Sequence, residues 1–65
     1  MSDNYRYFIR ELKRYMLEQD LTPVALARVL NRNHTTVYNW LGFKNIMSGE
    51  DMLEIIDKIM DRRIG

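Results

Sequence analysis

Polar side chains that can donate and accept hydrogen bonds recur at helical positions i, i+1, i+4 and i+5 in the middle of the chain. They are His34, Thr35, Tyr38 and Asn39. Side chains at this spacing share one face of a helix, which is how a recognition helix presents residues to base edges in a DNA major groove. The sequence therefore predicts a helical face that reads DNA bases.

Each of these residue types has a chemistry that fits a base pair. Asn39 can offer a donor and an acceptor together to adenine N6 and N7, and Thr35 can use its hydroxyl or pack its methyl on thymine. His34 can donate to guanine, while Tyr38 can lie along the groove wall or touch a phosphate. Each is also an ordinary surface residue when taken singly, so the hypothesis depends on their joint placement.

Enzymatic chemistry has no comparable support in the sequence. The chain has one histidine and no cysteine, and it lacks both a metal-ligand cluster and a glycine-rich phosphate loop. We therefore expect no enzyme activity, no cofactor, no bound metal and no small-molecule substrate.

Two short apolar-periodic segments must position the polar face. Thr22 and Pro23 form a start signal, because a proline at the first helical position loses no hydrogen bond. Leu26, Ala27 and Leu30 then follow at helical spacing. This pattern predicts a helix over residues 23–30.

The second segment begins after a three-residue turn, Asn31 to Asn33. Asn31 suits the left-handed conformation that ends a helix, and Asn33 suits the cap that starts the next. We expect a helix over 34–41, with Val37, Trp40 and Leu41 facing inward and the small Ala27 at the helix crossing. Two such helices joined by a short turn form a helix-turn-helix.

The motif Leu21-Thr22, Leu26-Ala27, Leu30, Thr36-Val37 and Trp40 resembles the helix-turn-helix of the phage repressor/Cro family, without gaps over 21 residues. The chain departs from that family in its turn, where Asn31-Arg32 replaces a Gly-Ile/Val pair. It also has Met16 and Leu41 where many members place an Arg and a Glu. We interpret this as an ion pair exchanged for an apolar contact, a change that is often neutral.

The resemblance implies a lambda-repressor-like fold and a small transcription regulator, a repressor of phage or prophage type. It would bind a pseudo-palindromic double-stranded DNA operator with helix 34–41 in the major groove. Residues that flank the reading face are expected to contact DNA phosphates. They are Thr22, Arg32, Thr36, Lys44 and Asn45.

Charge is distributed unevenly along the chain, although the net charge is only +1. All nine acidic residues lie in 1–20 or 50–65, whereas Arg28, Arg32 and Lys44 give the window 21–49 a charge of +3. A duplex would meet a locally positive surface. Alternatively, three basic residues in a window of this length are ordinary solvated surface.

Amphipathic helices are predicted on both sides of the motif. A helix over about residues 4–19 has a clear apolar stripe, and a last helix over 49–62 starts at the Ser48 cap. The first stripe is Tyr5, Phe8, Ile9, Leu12, Tyr15 and Met16. The second is Met52, Leu53, Ile56, Ile59 and Met60. Between the motif and the last helix, we expect Gly42 to take the left-handed conformation and Phe43 and Ile46 to fold back onto the core.

These elements predict one all-α domain over residues 1–65, a compact bundle of four or five short helices. No apolar run is long enough to cross a bilayer, and the N-terminus lacks the pattern of a signal peptide. We expect a cytoplasmic protein of a bacterial host, associated with the nucleoid when bound to DNA.

A domain of this size spans one half-site, so we expect a weak homodimer or a dimer formed on DNA. We expect that interface to use the surface near the last helix and tail, with Ile55, Ile64 and Tyr7 as candidate apolar residues. The alternative function is a protein-interaction module, such as an antirepressor or an antitoxin-like partner, built on the same scaffold.

Overall fold

A computed structural model describes residues 3–60, which fold into four α-helices with no strand in that range. The helices are α1 Asp3–Glu18, α2 Pro23–Leu30, α3 His34–Leu41 and α4 Gly49–Ile55, and a π-helical turn Ile56–Met60 continues α4. The all-α prediction is confirmed, and α2 and α3 have the predicted bounds. The predicted end of the last helix, residues 61–62, lies outside the described residues.

Side-chain caps fix the start of three helices. Thr22 Oγ1 accepts the Ala25 N–H at 3.1 Å, and Asn33 Oδ1 accepts the Thr35 N–H at 2.8 Å. Ser48 Oγ accepts the Asp51 N–H at 3.2 Å. Each bond satisfies a first-turn donor that has no partner within its helix, so all three predicted caps are confirmed.

The core lies where α1, α2, α3 and the last helical segment meet. Its buried members are Tyr5, Ile9, Leu12, Met16, Leu26, Ala27, Leu30, Val37, Trp40, Met47, Ile55 and Ile59. Leu41 packs against this core with the half-buried Phe8 and Tyr15. The predicted stripes of α1, α2 and α3 are therefore confirmed.

The predicted stripe of the last helix was wrong in part. Ile55, which we had set aside as a spare apolar group, is fully buried, and Ile59 lies beside it in the core. Leu53 and Ile56 are instead 68% and 39% exposed. Apolar residues occur on several sides of this segment, so two different rotations of the helix would each place a row of apolar side chains against the core. The observed rotation puts Ile55 inward, and Ile59, four residues later, lies on the same side.

The segment after α3 also differs from its prediction. Gly42 has φ −91°, and the residue with a left-handed backbone is Phe43, with φ 62°. Gly42 stays right-handed as the C-cap of α3, and its N–H bonds the Tyr38 carbonyl at 2.9 Å. The left-handed residue that ends the helix is therefore Phe43 and not Gly42.

This shift changes which loop residue enters the core. Phe43 and Ile46 are 39% and 60% exposed, whereas Met47 is 4% exposed and was not predicted to be buried. The Met47 N–H donates to the Tyr5 hydroxyl at 3.1 Å. This buried bond ties the loop to α1, so Met47 reaches the core in place of Ile46.

The rotation of α4 can be tested by making the same substitution separately at two neighbouring positions. We expect Ile55→Val to lower the free energy of unfolding by about 0.5–1.5 kcal/mol, because it leaves a cavity in the core. The matched control Ile56→Val should change it by less than about 0.5 kcal/mol, since that side chain is partly in water. Urea unfolding measures both values, and the reverse order would restore the stripe predicted from sequence.

Candidate nucleic-acid interface

The turn between α2 and α3 determines the direction of α3. Asn31 has φ 57° and ψ 47°, a left-handed conformation that Asn tolerates. Its N–H bonds the Arg28 carbonyl at 3.2 Å, and the Arg32 N–H bonds the Ala27 carbonyl at 2.9 Å. These bonds close the C-terminus of α2 in a Schellman-type end, as the sequence predicted for Asn31.

The inner side of α3 is fixed by large apolar residues. Val37 is 0% exposed and Trp40 is 4% exposed. Because these two residues point into the core, the residues on the other side of the helix must point away from it. The amphipathic character of this short helix thus sets its rotation.

The outer side of α3 carries the predicted base-reading residues. His34 and Thr35 are exposed, Tyr38 is 51% exposed, and Asn39 is half-buried. The His34 and Tyr38 rings meet edge to face, with centroids 6.2 Å apart. This contact restricts the motion of the two rings, which lie one helical turn apart. The structure thus brings His34, Thr35 and Tyr38 onto one open surface, with Asn39 at its edge.

The loop after α3 is held to the same helix. The Asn39 carbonyl accepts the Lys44 N–H at 2.9 Å and the Asn45 N–H at 3.3 Å. Lys44 and Asn45 are exposed, so both stand at the C-terminal end of α3. This is the place where a DNA strand beside the helix would pass.

The N-terminus of α2 offers a second place for a phosphate. Thr22 Oγ1 already accepts the Ala25 N–H, and Pro23 has no N–H to give. The Val24 N–H is therefore the first-turn donor left for an anion at this end. Thr36, the other predicted phosphate contact on the motif, is half-buried on the flank of α3.

Arg32 has a partner that the sequence analysis missed. Its guanidinium lies 2.6 Å from Asp51 Oδ1 and 3.7 Å from Glu54 Oε1, so the turn is joined to α4. The hydrogen bond to the Asp51 carboxylate and the charge of that carboxylate raise the pKa of Arg32. A phosphate contact by Arg32 would have to compete with Asp51. Asp51 is 19 residues from Arg32 in sequence, and no local pattern identified it as the partner.

This ion pair also changes the charge of the surface. The predicted charge of +3 for residues 21–49 included Arg32, whose charge is offset by Asp51 from outside that window. Among the described residues, Arg28 and Lys44 form no ion pair. Within residues 21–49, the basic side chains without an ion pair are therefore Arg28 and Lys44.

No protein-family model, curated protein or solved structure matches this chain. Within residues 3–60, no helix has the length and apolar character needed to cross a bilayer.

The Asn33 cap gives a stability test of the motif. We expect Asn33→Ala to lower the free energy of unfolding by about 0.5–2 kcal/mol, because the Thr35 N–H loses its acceptor. The control Asn45→Ala removes an exposed loop side chain and should change it by less than about 0.5 kcal/mol. Urea unfolding compares them, and equal effects would mean that the cap does not hold α3 in solution.

Proposed function

We propose that this protein is a sequence-specific double-stranded DNA-binding regulator that resembles the phage repressor/Cro family and inserts α3 into the major groove. One observation carries the proposal. The inner face of α3 is anchored by Val37 and Trp40, while His34, Thr35 and Tyr38 are open to solvent on the outer face. A short helix with this division can reach base edges without moving any core residue.

Base reading and positioning would use different residues. Asn39 and Thr35 supply hydrogen bonds to base edges. The imidazole of His34 and the hydroxyl of Tyr38 are further polar groups on the same face. Lys44, Asn45 and the Val24 N–H hold the phosphates on either side. Thr22 would contact a phosphate from the N-terminus of α2 and Thr36 from the flank of α3, and Arg32 contributes only when it leaves Asp51.

We propose that the regulator acts by occupancy. A protein lying in the major groove of an operator excludes polymerase without needing any contact to it. We therefore expect it to repress transcription. The setting that fits is the cytoplasm of a bacterial host, in a phage or prophage circuit.

The direct experiment is selection of bound sequences from random duplex DNA. We expect a pseudo-palindromic site with half-sites about one helical turn apart. Asn39→Ala and Thr35→Ala should relax the preference at single positions in each half-site. Each lost contact should cost about 1–3 kcal/mol of discrimination in a shift assay.

The matched control is Asn4→Ala, which makes the same change on the exposed first turn of α1. It should leave the selected site unchanged. If Asn39→Ala and Thr35→Ala fold normally and select the wild-type site, α3 is not the reading element.

The residues available for a dimer interface differ from those predicted. Ile55 is buried and cannot serve as an interface residue, and Ile64 lies outside the described residues. Tyr7 at 66% exposure and Leu53 at 68% remain available. Because one domain spans only a half-site, we propose a weak homodimer, or one completed on DNA.

Sedimentation tests this directly. Without DNA, we expect a monomer at low micromolar protein concentration, and with a selected full operator we expect two protein chains per duplex. A stable dimer in the absence of DNA would contradict the proposed weak association.

A second function has one observation in its favour. The exposed Leu53 of α4 lines an open groove with Glu50 and Asp57, which suits contact with another protein. The chain would then be an antirepressor or antitoxin-like module. Partner binding abolished by Leu53→Asp, without any salt-sensitive affinity for DNA, would select this function.

A further inference from the structure

A second basic surface lies on α1, outside the motif. Arg6, Arg10 and Lys13 line an open groove of about 400 Å³ together with Phe43. The three cations occur at i, i+4 and i+7, so they form one row along the helix. All three are exposed.

The charges of this row are free to meet an external anion. The ion pairs among residues 3–60 involve Arg14, Arg32 and Lys58, and none involves a cation of the groove. The α1 carboxylates of Glu11 and Glu18 lie toward Arg14 instead. Three cations in a row that form no ion pair within residues 3–60 make a surface that attracts polyanions.

Phe43 connects the row to the reading helix. Its ring lies 5.2 Å from Lys13 Nζ and meets the Tyr5 ring edge to face at 6.5 Å. Lys44 follows Phe43 directly, and its N–H is bonded to the Asn39 carbonyl of α3. The basic row and the C-terminal end of α3 are therefore neighbouring parts of one surface.

We propose that the groove of Arg6, Arg10, Lys13 and Phe43 binds backbone phosphates of the DNA that α3 reads. This inference rests on the proposed function and extends the contact beyond Lys44 and Asn45. Four helical residues rise about 6 Å, so long side chains at this spacing can reach different phosphates of one strand. The left-handed backbone of Phe43 places its ring beneath Lys13, which limits the freedom of that side chain.

The test compares two double variants with the same change in net charge. Arg10→Gln/Lys13→Gln removes two groove cations. Arg14→Gln/Lys58→Gln removes two cations that are paired with Glu18, Glu11 and Glu54 outside the groove. All four side chains are largely exposed, so thermal melting should show that both variants are folded.

The readout is the dependence of duplex affinity on salt concentration. Loss of two phosphate contacts should reduce the slope of log K against log salt by about 1.8, and weaken binding roughly 10- to 30-fold at about 0.15 M salt. The control variant should keep the wild-type slope to within about 0.5. Both variants should select the wild-type sequence, because phosphate contacts carry no base preference.

The other outcomes are distinct. If both double variants behave alike while Asn39→Ala still relaxes site preference, the groove assignment is overturned and the proposed function stands. If the wild type has no salt-sensitive affinity for duplex DNA, both are overturned. DNA-free association of the wild type, lost in Arg10→Gln/Lys13→Gln, would assign the groove to a second copy of the chain and contradict phosphate binding.

Discussion

The burial of Val37 and Trp40 is the constraint on which the rest of the structure depends. Both side chains are almost fully removed from water, and together they fix the rotation of an eight-residue helix that would be marginal in isolation. The positions of the turn before the helix and of the loop after it follow from that rotation. Asn33 caps the helix, and the Asn39 carbonyl holds Lys44 and Asn45 at its other end.

Local signals made the motif predictable from sequence. Thr22, Asn33 and Ser48 each combine a capping side chain with an apolar pattern that begins directly after it, so the helix starts follow from short-range physics. Asn31 could likewise be assigned a left-handed conformation from its residue type. The candidate site lies largely within the same stretch, so the local helical spacing is enough to predict its residues.

The errors occur where tertiary contacts choose between equivalent local patterns. The last helix has apolar residues on several faces, and the choice of Ile55 over Ile56 depends on packing against the other helices. Met47 is buried because its N–H meets the hydroxyl of Tyr5, which is distant in sequence. The Arg32–Asp51 pair and the groove at Phe43 similarly join separated segments, and no local pattern predicts such contacts.

The central claim is that the outer face of α3 meets base edges. The most direct measurement is an NMR titration of the protein with a selected operator duplex, including intermolecular contacts between side chains and major-groove protons. We predict contacts from His34, Thr35, Tyr38 and Asn39 to thymine methyl and other major-groove protons, with the amides of α3 shifted strongly. Shifts confined to α4 around Leu53, with α3 unchanged and no major-groove contacts, would contradict the account.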